Sequence, residues 1–173
     1  MMVHKTDGVA RGVPTGEGFT LIEVAIATAI IAIGVVALVV SVGSGTRANQ
    51  AGTELTQAVF LAQEIREWTL RLPYIDPDVA DQSNPPGPDG SDPQVFVDDL
   101  DDLLNVTYSP PRDGRGIAIA DMPGWSETIT LTYRNPDNLS QIVSGRTDVV
   151  RVGVEVFHNS RPVFSTGWIV ARR

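Results

Sequence analysis

Apolar and polar positions divide the chain into regions of different period. From Val24 to Thr46, 23 residues carry no formal charge. As a helix rising 1.5 Å per residue they reach roughly 35 Å, enough to cross a hydrocarbon core of about 30 Å. Between Glu54 and Leu72 the pattern turns amphipathic, with Leu55, Val59, Ala62, Ile65 and Leu72 on one helical stripe that Leu61, Trp68 and the aliphatic part of Arg71 widen. Glu64 and Glu67 alternate with Arg66 and Arg71 on the side expected to face solvent, and Glu67 and Arg71 are spaced for a weak helical ion pair. Pro73 disfavours helical backbone at Leu72, so one helix is predicted from about Phe19 to Arg71. Its first half reads as embedded and its second half as the carrier of a domain.

After Pro73 the pattern breaks. Asp76 to Asp102 holds nine aspartates and five prolines in 27 residues, with no lysine or arginine. Its first part is a loop by composition, expected to be solvated. Clustered aspartates raise a calcium reading, but their spacing does not match an EF-hand loop. From Asp92 a short helix is predicted: Asp92 can cap, Pro93 suits the first turn, and Phe96, Leu100, Leu103 and Leu104 recur at helical intervals. The last third alternates with period two. Trp125, Ile129, Leu131 and Tyr133 share one face and Ser126, Thr128, Thr130, Thr132 and Arg134 the other. A turn is expected at residues 135–138. Val150, Val152, Val154 and Val156 then face inward with Arg151 and Glu155 outward, a turn runs from His158 to Arg161, and Phe164, Thr166, Trp168 and Val170 close the sheet. A sheet with one apolar face needs a cover, and the amphipathic half of the long helix is the natural one. The fold class is therefore α+β, a long N-terminal helix packed on a C-terminal antiparallel sheet.

Composition narrows the function classes. At 173 residues the chain allows one ordinary domain and an appendage. A net charge of −8, from 21 acidic and 13 basic side chains, disfavours broad contact with nucleic acid. With no cysteine, stability rests on burial. Candidate chemistry is sparse. Of the two histidines, His4 and His158, the second falls in a predicted turn, where a solvated residue is expected rather than a general base. No nucleophile elbow, phosphate loop or zinc spacing is present. Trp125 and Trp168 read as core. No catalytic, cofactor-binding or metal-ligating residue is assigned.

The border of the apolar run carries the most specific signal. "Gly18-Phe19-Thr20-Leu21-Ile22-Glu23" leads directly into the membrane-length stretch. A secretory signal is disfavoured, because the run exceeds a signal core of roughly 7 to 15 residues, although Ser41, Val42 and Gly43 are small residues at a plausible cleavage position. The border resembles the processing site of type IV prepilins and of the pseudopilins of type II secretion systems, over about 25 residues. That resemblance implies a prepilin peptidase and N-methyltransferase that cuts after Gly18 and methylates the new amine of Phe19. It also implies a pilin-like architecture and a structural role, as a minor pilin or pseudopilin. Glu23, costly inside a bilayer unless a partner compensates, is implied to pair with the N-terminal amine of a neighbouring pilin or pseudopilin subunit and to set helix register. The bland reading is a tolerated interfacial carboxylate.

The expected organisation is a leader at 1–18, a membrane and filament-core half-helix at 19–46, an amphipathic half at 47–72, an acidic proline-rich loop at 73–92 and a globular domain at 93–173. Lys5, Arg11 and the initiator amine before the span, against Arg47 behind it, orient the N-terminus to the cytoplasm. The chain is thus expected in the inner membrane as a single-pass protein with an extracytoplasmic C-terminal domain, and in a surface filament after assembly. Two features depart from the family pattern: Asp7 and Glu17 balance Lys5 and Arg11 in the leader, and the span contains no proline. The alternative is a membrane-anchored periplasmic binding module that does not polymerise, and an anchored enzyme is a third, weaker reading.

Overall fold

The computed structural model describes residues 18–79, 82, 86–88 and 92–172. The leader residues Lys5, Asp7, Arg11 and Glu17, and Asp81 and Asp89 of the acidic loop, lie outside them. The chain divides into two compact units, Met1–Arg47 and Ala48–Arg173, and one helix, α1 (Leu21–Arg71), contributes to both.

In the first unit every described residue is exposed. The apolar stretch of α1 has a mean hydropathy of 2.8 and, by length and composition, can cross a membrane. Its few hydroxyls are satisfied by its own backbone: Thr28, Ser44 and Thr46 donate to the carbonyls of Val24, Val40 and Val42 at 2.7, 2.9 and 3.1 Å. Such i to i−4 bonds let polar side chains sit in an apolar run without calling on solvent.

In the second unit α1 lies on a five-stranded antiparallel sheet. The strands are β1 (Val106–Tyr108), β2 (Trp125–Asn135), β3 (Asn138–Ile142), β4 (Val149–His158) and β5 (Arg161–Ala171). Their order is β1-β2-β4-β5, with β3 paired to the far end of β2. The predicted inward faces hold: Trp125, Ile129, Leu131 and Tyr133 of β2 and Val150, Val152, Val154 and Val156 of β4 are buried. Asn159 and Ser160 both take left-handed backbone (φ 50° and 62°), which gives the β4–β5 hairpin the turn that matches strand twist.

Several expectations are corrected. The buried face of α1 is Ala58, Leu61, Ala62, Ile65, Trp68 and Thr69. Leu55 is 46% exposed, and Val59 and Leu72 are half-buried. Leu61 and Trp68, expected at the margin, are central. The helix expected from Asp92 is a single turn. Asp92 does cap it, accepting from the N–H of Gln94 at 2.9 Å through Oδ1. The backbone is then captured by aspartate side chains: Asp99 Oδ1 accepts from the N–H of Asp101 (2.9 Å) and Asp102 (3.2 Å), and Asp102 Oδ2 from that of Asp98 (3.1 Å). Such side-chain acceptors compete with helical bonding, and only the 3-10 turn Asp101–Leu103 forms. Strands β1 and β3 were unanticipated, one being three residues long and the other exposed at every position.

Candidate functional site

Gly18, Phe19 and Glu23 lie together at the head of α1. A Cβ built on Gly18 meets nothing within 4 Å, so the fold itself does not demand glycine there. Phe19 is 86% exposed. Thr20 is the helix cap, its carbonyl accepting from the N–H of Val24 at 3.2 Å. Glu23 closes a reciprocal box with it: the N–H and Oγ1 of Thr20 each donate to Glu23 Oε2 at 3.2 Å, while the N–H of Glu23 donates to Thr20 Oγ1 at 3.3 Å. This satisfies two backbone N–H groups that a helix start otherwise leaves unpaired. The role of Thr20 was readable as threonine three residues before glutamate, but the sequence reading absorbed it into the longer motif.

The other unusual carboxylates lie in the second unit, and the sequence reading missed them. Asp76, expected in a solvated loop, and Asp99, Asp101 and Asp102, which fall where a short helix was expected, are buried. Asp101 forms a short salt bridge with Arg146 and accepts from the N–H of Gly87 at 3.0 Å. Burial, reinforced by the neighbouring Asp101 carboxylate, pushes the Asp99 carboxyl up to about 8. Glu127 points from β2 into the core and is fully buried. Its Oε1 accepts from the N–H of Arg112 at 2.6 Å, its Oε2 has no partner, and burial pushes its carboxyl up to about 8. Glu64, expected to face solvent, instead accepts from the N–H of Gly114 at 2.5 Å. Glu64 and Glu127 thus pin the segment after Pro111 onto α1 and β2. Glu127 occupied an inward register between Trp125 and Ile129, which was the available signal.

His158 is not a solvated turn residue. It ends β4, stacks on Trp125 at 4.5 Å with the rings 13° apart, and places Nδ1 3.6 Å from Glu54 Oε1. Trp168 donates from Nε1 to Thr69 Oγ1 at 3.2 Å, which ties β5 to α1. Among the described residues no three His, Cys, Asp or Glu side chains are arranged to hold a metal ion. Compared with protein-family models, with curated proteins and with solved structures, the chain matches none of them.

Proposed function

We propose that this chain is a structural subunit, of the minor pilin or pseudopilin kind, in a filament of the type IV pilus or type II secretion class. It is made as a precursor, cut after Gly18 and N-methylated at Phe19 by a membrane peptidase. It is held in the membrane by the apolar half of α1 until assembly. Helices of neighbouring copies then pack together, and Glu23 of one meets the Phe19 amine of another.

The observation that carries this reading is the Gly18–Glu23 border at the head of an apolar helix that its own chain leaves bare. Leu21 is 92% exposed, Ile30 64% and Val39 66%. Each fully buried aliphatic side chain gains about 1.5 to 3 kcal/mol, and a contiguous bare patch of this kind marks a membrane or protein contact. A bilayer supplies that cover first and other helices later.

Mass spectrometry of the protein from its own cells tests the reading. The expected mature chain begins at N-methylated Phe19, and Gly18→Val is expected to leave a full-length protein, heavier by the 18-residue leader. An unmethylated chain that Gly18→Val leaves unchanged would favour the anchored, non-polymerising binding module.

A further inference from the structure

We propose that residues 111–119 form a strap that closes over α1 and β1 while the Glu127 carboxyl holds a proton, and that lifts when that proton is lost. The strap carries its own hydrogen bonds. The N–H groups of Asp113, Gly116 and Ile119 donate to the carbonyls of Ile117, Asp113 and Pro111, each at 2.8 Å, and Asp113 Oδ1 accepts from the N–H of Arg115 and of Ile117 at 2.9 Å. It can therefore move as a unit without giving them up.

Two of its attachments to the rest of the unit are carboxyl groups. Glu127 Oε1 accepts from the N–H of Arg112 at 2.6 Å and Glu64 Oε2 from that of Gly114 at 2.5 Å. Arg71 Nη1 donates to the Gly114 carbonyl at 3.2 Å, Arg112 Nη2 donates to the Gln94 carbonyl at 2.7 Å, and the Arg112 guanidinium lies 4.7 Å from the centre of the Tyr108 ring. Gly116, with left-handed backbone (φ 77°), rests on Trp68, and a Cβ built on it comes within 2.6 Å of the indole. Trp68, Arg112, Gly116 and the turn at 93–97 line a cavity of about 180 Å³. Contacts missing across that space do not resist lifting.

Glu127 makes closure depend on pH. It is fully buried and its Oε2 meets no partner among the described residues, so ionising it under a closed strap leaves a charge without water or a second donor. The groups that face it do not cancel that cost. Glu64 of α1 has the same sign, β1 sets Tyr108 opposite Glu127 and β4 sets Val156 there, and His158 at the end of β4 stacks on Trp125. The Arg112 guanidinium is already engaged by the Gly116 and Gln94 carbonyls and the Tyr108 face. Water relieves the charge, and the strap is what yields to admit it, because β2 is held in register by β1 on one side and β4 on the other. Closed, the carboxyl is raised from 4.5 to about 8; lifted, it regains the ordinary range. The closed form is therefore fully favoured below the lower value, and the lifted form gains on it by about tenfold per pH unit across the window, for one proton released. The strap is shut in acid and looser near neutrality, where lifting uncovers Trp68 and Tyr108, both now buried.

Amide hydrogen exchange of the full chain in detergent micelles, measured from about pH 5 to about pH 8 and divided by the unstructured-chain rate at each pH, tests the strap. Protection of residues 112–119 is expected to fall about tenfold per pH unit and to stay at least about tenfold below that of β4 at every pH, as a local opening requires. Glu127→Gln should keep the strap as protected as the parent's is in acid and remove the slope. Gly116→Ala, which sets a methyl against the Trp68 indole, should leave the strap unprotected even at the acid end while β4 stays protected. That variant decides the matter even if Glu127→Gln fails to fold. A parent strap with no slope overturns the proposal, as does a slope that survives in Glu127→Gln, which would assign it to Asp99 or His158. Equal protection of strap and β4 at every pH also overturns it, since the unit would then open only as a whole, and so does a strap that stays protected in Gly116→Ala.

Discussion

Two stretches of α1 are built from the same aliphatic residues and meet opposite fates. From Leu21 to Val42 the isoleucines, valines and leucines are exposed, whereas at Leu61, Ala62 and Ile65 they are sealed against the sheet. Side-chain chemistry does not distinguish the two. What differs is period: an all-round apolar surface asks for surroundings that are apolar on every side, and a one-sided stripe asks for a single covering layer. The carboxylates divide the same way. Glu23 is exposed and held by Thr20, while Glu127 and Asp99 are buried and driven toward the neutral acid.

The largest effect should come from removing the one charge in the bare stretch. On the filament reading proposed above, Glu23→Val is expected to insert and to be cut before Phe19, yet to be missing from sheared or purified filaments, because a neighbour's amine would lose its counter-charge among packed helices. Normal incorporation of the variant would remove Glu23 as a register element.

In the second unit the charge of greatest consequence is Arg146. Its guanidinium neutralises Asp101, which is 4% exposed, so Arg146→Ala leaves a buried carboxylate uncompensated. A loss of about 3 to 5 kcal/mol is expected, measured by urea unfolding of residues 47–173, a fragment expected to fold as a soluble monomer. A loss below about 1 kcal/mol would show that the acid cluster is solvated after all.

The contrast between bare and sealed apolar residues can be measured directly. Ile129→Ala, at a fully buried position of β2, should cost about 2 to 5 kcal/mol of domain stability. Ile30→Ala, on the bare stretch, should leave the domain's unfolding curve within about 0.5 kcal/mol of the parent. Equal effects would mean that the bare stretch has cover within its own chain.

How much of this could be read in advance follows the same division. The long helix, its end before Pro73, the inward faces of β2 and β4 and the turns around them were legible, because sustained periodicity over ten or more residues reflects which face is buried. The segment Asp98–Asp102 was not. The helical spacing of its leucines said nothing of where its aspartates would go, and only the docking of Arg146, more than 40 residues on, makes the burial of Asp101 tolerable. Glu64 was misplaced and Glu127 passed over for a related reason, since their carboxylates are explained by backbone donors from a distant segment, Gly114 and Arg112. At the head of α1 the motif residues were legible and their local geometry was overlooked, because the Thr20–Glu23 spacing was read only as part of a longer resemblance.

The buried acids also set a pH dependence. Glu127 has an ordinary value of 4.5 and is raised to about 8 in the folded unit. The folded state therefore holds more protons than the unfolded state between those values, and stability falls as pH rises across that window. Asp99, raised from 3.8 to about 8, acts in the same direction. Thermal melting of the 47–173 fragment should show a midpoint lower at pH 9 than at pH 6, with Glu127→Gln flattening part of the slope. A midpoint that rises between pH 6 and pH 9 would contradict the burial of these acids.

The smallest effect tests what Glu23 does for its own helix. Thr20→Ala removes the cap hydroxyl and half of the reciprocal box, a change worth about 1 kcal/mol at a helix start. In detergent micelles, amide exchange over residues 21–24 should quicken about fivefold, the factor that corresponds to such a loss. Thr20→Ser should restore the parent rate. Filament incorporation should survive, since the carboxylate of Glu23 remains available to a neighbour. This variant separates the two roles of the residue that interrupts the apolar border. If Thr20→Ala abolished incorporation as completely as Glu23→Val, with Thr20→Ser rescuing it, the helix cap itself would be what assembly requires, and pairing with a second subunit's amine would no longer be needed to explain why a glutamate stands at position 23.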